Sequence, residues 1–279
     1  MIIGIVGLGL IGGSLGFDFR QQGHRVLGVS RRQETCDRAI AIGAVDTASV
    51  HLSLMQEVDV VFLCTPLAAM EQTMIDLVPS LRSDAVVTDV GSVKGWVMQA
   101  IAPHWHNFVG GHPMAGKAES GIEVAQPDLF VNCPYVLTPT DMTPPEAVKL
   151  VEALIQPLKS RIYYCQPEEH DLAVAWISHL PVMVSASLIA ACLGEGQPGV
   201  VELTKVLASS GFRDTSRVGG GNPELGVMMA RYNTTALVRS LRTYQDILNQ
   251  VIQDIESQDW QALEHLLQQT QQARPDFLL

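Results

Sequence analysis

The sequence predicts an α/β domain built on a parallel sheet followed by an all-α domain, and three observations carry that expectation. Residues 1–14 read MIIGIVGLGLIGGS, a short apolar run that breaks into Gly7-Leu8-Gly9-Leu10-Ile11-Gly12. Uninterrupted apolar runs then alternate with helical patterns as far as residue 165, the mark of buried parallel strands joined by crossover helices. Beyond that point strand signals stop and long helical patterns take over, which places the domains at 1–165 and 166–279.

The first element is a strand over 2–6, and the glycine turn leads from it into a helix expected over 14–22. A second apolar run, 25–29, then completes a βαβ unit. Gly7 permits a tight turn, Gly9 lets backbone N–H groups approach an anion without a Cβ in the way, and Gly12 lets the helix pack on the strand. With Leu10 and Ile11 inside it, this is the phosphate turn of a Rossmann-type dinucleotide site, whose pyrophosphate faces the helix N-terminus.

The end of the second strand selects the cofactor. An NAD site places an acid there for the ribose 2′-OH, whereas this chain carries Ser30-Arg31-Arg32, with Glu34 past the strand end. Two guanidiniums and a hydroxyl suit a 2′-phosphate, so NADP is expected.

A helix over 33–42 closes at Gly43, and a strand over 58–64 stops at Thr65-Pro66 before a helix over 67–81. A strand over 85–90 runs into Asp89-Val90-Gly91-Ser92-Val93-Lys94. Ligands gather at the carboxyl ends of parallel strands, so Thr65, Pro66 and Ser92 are candidates to line the site, and Ser92 equally suits the N-cap of the next helix. A strand over 107–110 leads to Gly111-His112-Pro113. A histidine held between a diglycine and a proline has a rigid backbone and titrates near pH 6.5, as a general base must, so the rate is expected to rise with pH around that value. His104 and His106 lie in a surface turn. Strands over 133–137 and 161–165 flank a helix begun by Pro144-Pro145-Glu146 and ended by Pro157.

Residues 172–193 contain no Asp, Glu, Lys or Arg and are long enough to span a bilayer. His179, Pro181, three serines and acidic flanks argue instead for a central helix buried on every side in the helical domain, at a subunit interface. Residues 210–223 read as a polar, glycine-rich connection in which Arg213 and Arg217 can clamp a carboxylate, although Arg213 beside Asp214 also suits an ion pair. Helices over 234–257 and 260–273 finish the chain.

At 279 residues, 47% hydrophobic and 17% charged, the chain can bury a sizeable core. A net charge of −11 argues against nucleic acid as a partner. Five widely spaced cysteines without C-x-x-C or Cys/His pairing predict neither disulfides nor a metal site, and a reducing cytoplasm fits them. The apolar start lacks a basic segment before it, so no export signal is expected.

Five motifs together resemble the prephenate/arogenate dehydrogenase family, and most nearly its cyanobacterial-type, arogenate-using branch. They are Gly7-Leu8-Gly9-Leu10-Ile11-Gly12-Gly13-Ser14, Asp89-Val90-Gly91-Ser92-Val93-Lys94, Gly111-His112-Pro113-Met114-Ala115-Gly116, Ser178-His179-Leu180-Pro181 and Gly211-Phe212-Arg213-Asp214-Thr215-Ser216-Arg217. The resemblance implies NAD(P)-dependent oxidative decarboxylation of a cyclohexadienol to a phenol in tyrosine biosynthesis. It implies that His112 accepts the C4 hydroxyl proton, that Ser92 orients the imidazole and the hydroxyl, and that Arg217 binds a substrate carboxylate while His179 shapes the pocket. It also implies a homodimer formed through the helical domain. Two positions depart from the prephenate-using pattern, Val182 where a second histidine is common and Leu225 where a tryptophan is common. A site with one polar group fewer favours arogenate over prephenate.

Two other classes share parts of the pattern. A β-hydroxyacid dehydrogenase or imine reductase has the same domain order, but the former relies on a helical-domain lysine, and Lys205 is the only lysine after Arg161. A non-catalytic NADP-binding redox sensor would keep the glycine turn and the arginines without needing His112 together with Arg217.

Overall fold

The computed structural model describes residues 1–117 and 119–278. Among the described residues, eight strands form one sheet in the order β3-β2-β1-β4-β5-β6-β7-β8. They are β1 (Ile2–Val6), β2 (Arg25–Val29), β3 (Thr47–Ser49), β4 (Val60–Leu63), β5 (Val86–Asp89), β6 (Phe108–Pro113), β7 (Pro134–Thr138) and β8 (Arg161–Tyr164). The helices between them are α1 (Leu10–Gln21), α2 (Gln33–Ala41), α3 (Leu67–Leu77), α4 (Gly95–Ile101) and α5 (Pro145–Ile155). After β8 the chain is helical: α6 (Pro167–Val174), α7 (Leu180–Leu193), α8 (Pro198–Leu207), α9 (Ser210–Ser216), α10 (Pro223–Tyr232), α11 (Thr234–Glu256) and α12 (Trp260–Ala273). The order β3-β2-β1-β4-β5 with parallel pairing is the doubly wound Rossmann arrangement.

Both faces of the sheet are covered, which is why its central strands are apolar without alternation. In β4, Val60 and Phe62 enter a core with Ile3, Ile5 and Phe19, while Val61 and Leu63 enter a second core with Val6, Leu27 and Val87. The chain forms two compact units, Met1–Asn233 and Thr234–Leu279. In the second, Asp259 caps α12 by accepting from the Ala262 amide at 3.0 Å.

Several elements differ from the sequence-based expectation, each for a physical reason. Helix α1 begins at Leu10, not at Ser14, because the turn needs only Gly7 to Gly9 and the later glycines pack inside the helix. The edge strand β3 is three polar or small residues with no apolar run to reveal it. Strand β6 continues through His112, because β7 pairs antiparallel with its end, Gly110 opposite Thr138 and His112 opposite Val136. Among the described residues no crossover helix joins β6 to β7, so the chain doubles back. Residues 210–223 are largely helical, not an open loop, and Ser185 of α7 fastens them by donating to the Thr215 carbonyl at 2.8 Å and accepting from Gly219 N–H at 2.9 Å.

The apolar run 172–193 is not buried on every side. Within α7 only Leu180 and Ser185 are buried and Leu193 is 65% exposed, and just before it Trp176 and Ile177 are 42% and 54% exposed. Length and composition would let Pro167–Leu193 cross a membrane. Its first half, however, carries the buried polar residues His170, Asp171 and His179.

The glycine turn yields a paired expectation. A Cβ on Gly12 would sit 2.1 Å from the Gly7 carbonyl oxygen, whereas one on Gly9 meets nothing within 4 Å, and Gly9 has extended backbone angles open to alanine. Gly12→Ala should therefore cost about 1–3 kcal/mol in urea unfolding, and Gly9→Ala should stay within about 0.5 kcal/mol of wild type. Equal loss in both variants would contradict the packing described here.

Candidate active site

Because β1, β4, β5 and β6 are parallel, their carboxyl ends share one edge of the sheet. Gly7 leaves β1 with φ 109°, and a Cβ there would meet the Cys64 backbone at 2.5 Å, so this turn lies against the end of β4. No side chain caps the first turn of α1, and the space over Gly9 is open. The amides at Leu10, Ile11 and Gly12 thus begin a helix whose N-terminus suits an anion. Beside it the buried Thr65 Oγ1 has no hydrogen-bond partner among the described residues. Pro66 sets the start of α3. An open glycine cradle, an uncapped helix and an orphaned hydroxyl fit a dinucleotide. At the end of β2, Ser30 is half-buried, and Arg31 and Arg32 are exposed without an ion-pair partner among the described residues.

At the end of β5 the fully buried Asp89 accepts from the Gly91 amide at 2.7 Å and the Gly111 amide at 3.0 Å, and pairs with the buried Lys94 ammonium. Lys94 Nζ also donates to the Gly111 carbonyl at 2.5 Å, which pins β6 immediately before His112. Burial pushes this ammonium below its ordinary pKa, against the pull of Asp89. Ser92 is half-buried inside the same turn. It does not cap α4, because the Asp171 carboxylate takes that place, accepting from the Lys94 amide at 2.7 Å and the Gly95 amide at 2.8 Å.

Asp171 Oδ1 also receives the His170 Nδ1 proton at 2.8 Å, and His170 Nε2 lies 2.8 Å from His112 Nδ1. A carboxylate only accepts, so His170 carries its proton on Nδ1 and, when neutral, offers a bare Nε2. His112 then donates from Nδ1, which leaves its own Nε2 bare. The chain Asp171–His170–His112 thereby sets the tautomer that a general base needs. Burial first, then His170, Lys94 and His179, hold the His112 pKa well below 6.5. The His112 ring is therefore neutral across the neutral range, and a rate that depended on its deprotonation would rise at a pH below the expected 6.5.

His179 is fully buried, and burial lowers its pKa to about 4 despite the attraction of Asp171. It ends a π-helical turn, Ala175–His179, between α6 and α7. In an unbroken α-helix, eight residues leave Asp171 and His179 about 80° out of phase. One residue absorbed by the π turn leaves the equivalent of seven, within about 20° of two full turns. Asn233 spans the two, donating to the Asp171 carbonyl at 2.8 Å and lying 3.2 Å from His179 Nδ1.

Arg217 is exposed at the head of the 3₁₀ turn Arg217–Gly220. Arg213 is exposed and paired with Asp214 at 3.1 Å. Of the expected site residues, His112 and His179 join one buried cluster with Ser92 in the adjoining turn. His170, Asp171, Lys94 and Asn233 had no expected role. The run Glu168-Glu169-His170-Asp171 ahead of a charge-free helix was a signal for the first two. Pro181 was a signal for the π turn, because its ring cannot follow a regular helix.

Two of the three buried imidazoles, His112 and His179, give a pH expectation. Both titrate near 6.5 in the unfolded chain and lower in the folded one, so acid favours unfolding. Their contribution is complete above about pH 6.5 and is lost as pH falls, for His179 through about 4. The urea midpoint should drop between pH 7 and pH 5, and His179→Gln should make that drop shallower. An identical drop in the variant would contradict the burial of a neutral His179.

Comparison with known proteins agrees with the fold. Residues 15–164 match the family model for the prephenate dehydrogenase nucleotide-binding domain, and residues 166–269 the model for the prephenate dehydrogenase dimerization domain. The chain is 34% identical to a prephenate dehydrogenase of Bacillus subtilis over 79% of its length, but it spans only 61% of that relative. The crystal structure of Synechocystis arogenate dehydrogenase is 53% identical with a TM-score of 0.90, covering 99% of this chain and 100% of that one. The A. aeolicus prephenate dehydrogenase, solved with hydroxyphenyl propionate and NAD+, is 26% identical with a TM-score of 0.94, covering 99% and 98%. Two matching family models over one Rossmann sheet and its helical continuation place the chain in the prephenate dehydrogenase family.

Proposed function

We propose that the protein oxidatively decarboxylates L-arogenate to L-tyrosine, passing hydride to NADP. The observation that carries this reading is the buried Asp171–His170–His112 chain at the edge where the glycine turn opens. His112 Nε2 accepts the proton of the C4 hydroxyl, and the hydroxyl carbon becomes a carbonyl as its hydride leaves. Loss of the ring carboxylate as CO2 returns an electron pair to the ring and gives the phenolate, which takes the proton back from His112 to become the phenol. When bound, the nicotinamide supplies the hydride acceptor. Ser92 orients the hydroxyl, and Arg217 binds a carboxylate, with Arg213 held by Asp214.

The identity to the Synechocystis arogenate enzyme, with Val182 and Leu225 in the helical region, favours arogenate. The B. subtilis and A. aeolicus relatives support prephenate as the second substrate. Arg31 and Arg32, exposed at the end of β2, favour NADP over NAD. Residues 1–165 form the nucleotide domain in this reading, and 166–279 the helical one. The match to a dimerization domain and the exposed Trp176, Ile177, Leu193, Val206 and Leu207 favour a homodimer covering that apolar surface. Five free thiols suit a reducing cytoplasm.

Absorbance at 340 nm with each pairing of arogenate or prephenate with NADP or NAD tests the proposal. Arogenate with NADP should react fastest, and inactivity with all four pairs would overturn it. Arg31→Ala with Arg32→Ala should raise KM for NADP tenfold or more and leave NAD use little changed, since charge-assisted bonds contribute about 1.5–3 kcal/mol each. Equal loss for both cofactors would show the pair to be structural. His112→Asn should lower kcat by about 10²–10⁴ with cofactor affinity intact, and near-normal kcat would move the base elsewhere.

A further inference from the structure

Asn233, the last residue of the first compact unit, is buried, and its side-chain nitrogen meets two partners. One is the Asp171 main-chain oxygen at 2.8 Å, which can only accept. The atom there must therefore be the amide nitrogen, and the orientation of the Asn233 side chain follows from chemistry alone. The second hydrogen of the same nitrogen faces His179 Nδ1 at 3.2 Å. A donor facing Nδ1 requires that Nδ1 be bare, so the neutral His179 ring carries its proton on Nε2. That Nε2–H is buried and has no partner among the described residues. A buried donor without an acceptor destabilises a fold, and an acceptor oxygen on a bound ligand is one way to complete it.

We infer that Asn233 is a positioning residue that locks His179 as a neutral Nε2–H donor for an oxygen of the bound substrate. The inference rests on the dehydrogenase reading above for the identity of that substrate. His112 and His179 then present opposite faces of imidazole chemistry in one cluster, a bare Nε2 and a protonated one. A hydroxyl group matches both, donating to the first and accepting from the second. As His112 draws off the proton, the oxygen becomes a better acceptor, and the His179 bond strengthens as the reaction proceeds. The charged and titratable groups acting on His179 are Asp171 and His170 from α6, and His112 from β6. Burial and the Asn233 donor keep the ring from taking a second proton at neutral pH.

The test is two-bond 1H–15N correlation on the full chain labelled with 15N-histidine, with His179 assigned by His179→Gln. The wild-type ring should show a protonated Nε2 and a bare Nδ1 from pH 8 to pH 5. Asn233→Leu should release it, giving mixed tautomers and a pKa shifted upward. Adding NADP and L-tyrosine, whose phenol oxygen stands for the substrate hydroxyl, should move the His179 Nε2 proton downfield in wild type. A protonated Nδ1 in wild type, or a tautomer unchanged in Asn233→Leu, would overturn the lock. An Nε2 proton indifferent to L-tyrosine would overturn the donor role and show a structural histidine. In kinetics, Asn233→Leu should lower kcat at least tenfold with dinucleotide affinity unchanged, and unchanged kcat would count against the lock. The NMR arms use no turnover, so failure of the arogenate reading in the 340 nm assay leaves the tautomer result to be judged separately.

Discussion

The Asp171 carboxylate accepts three hydrogen bonds, from the Lys94 and Gly95 amides and from the His170 ring, and the site is ordered by how those three are shared. Two of them cap α4, where the helix N-terminus favours an anion. That anion keeps His170 protonated on Nδ1, and the order passes through one further hydrogen bond to His112. The same contacts fasten the first helix after the sheet to the carboxyl edge of β5. The first compact unit accordingly extends past the last strand to Asn233.

A buried ion pair lies next to these rings. Asp89 has two backbone donors besides Lys94, and Lys94 has the Gly111 carbonyl besides Asp89, so the polar atoms of the pair are largely satisfied. Removing one partner of such a pair costs about 3–5 kcal/mol, because the other charge stays buried alone. Its cation opposes an imidazolium at His112, in the same direction as burial. The pair therefore holds β6 in place and adds to the burial that opposes protonation of His112.

Much of the nucleotide half was legible, because glycines at fixed offsets and unbroken apolar runs report backbone needs directly. Gly7 takes φ 109°, Gly12 packs on the Gly7 carbonyl, and Val60 to Leu63 are buried on both faces, each in keeping with its local pattern. The place of His112 at the end of β6 was legible from its neighbours. Its partners were not, since His170 and Asp171 lie 58 and 59 residues further on and meet it only through tertiary packing. The antiparallel turn of β7 left no trace in periodicity, and the open face of α7 reads as buried in any pattern that counts only hydrophobicity. The π turn was hidden for a related reason: phase depends on one residue, and only Pro181 marks the place.

In the proposed reaction His112 is a base kept neutral by its buried surroundings and aimed by Asp171 through His170. The most direct measurement is the pH dependence of kcat/KM for arogenate with saturating NADP, which reports the essential groups of the enzyme before substrate binds. The account predicts a flat profile from pH 8 to below about 6.5, with the acid limb well beneath the ordinary histidine value. A limb centred at or above about 6.5 would show an exposed, freely titrating base and would contradict it.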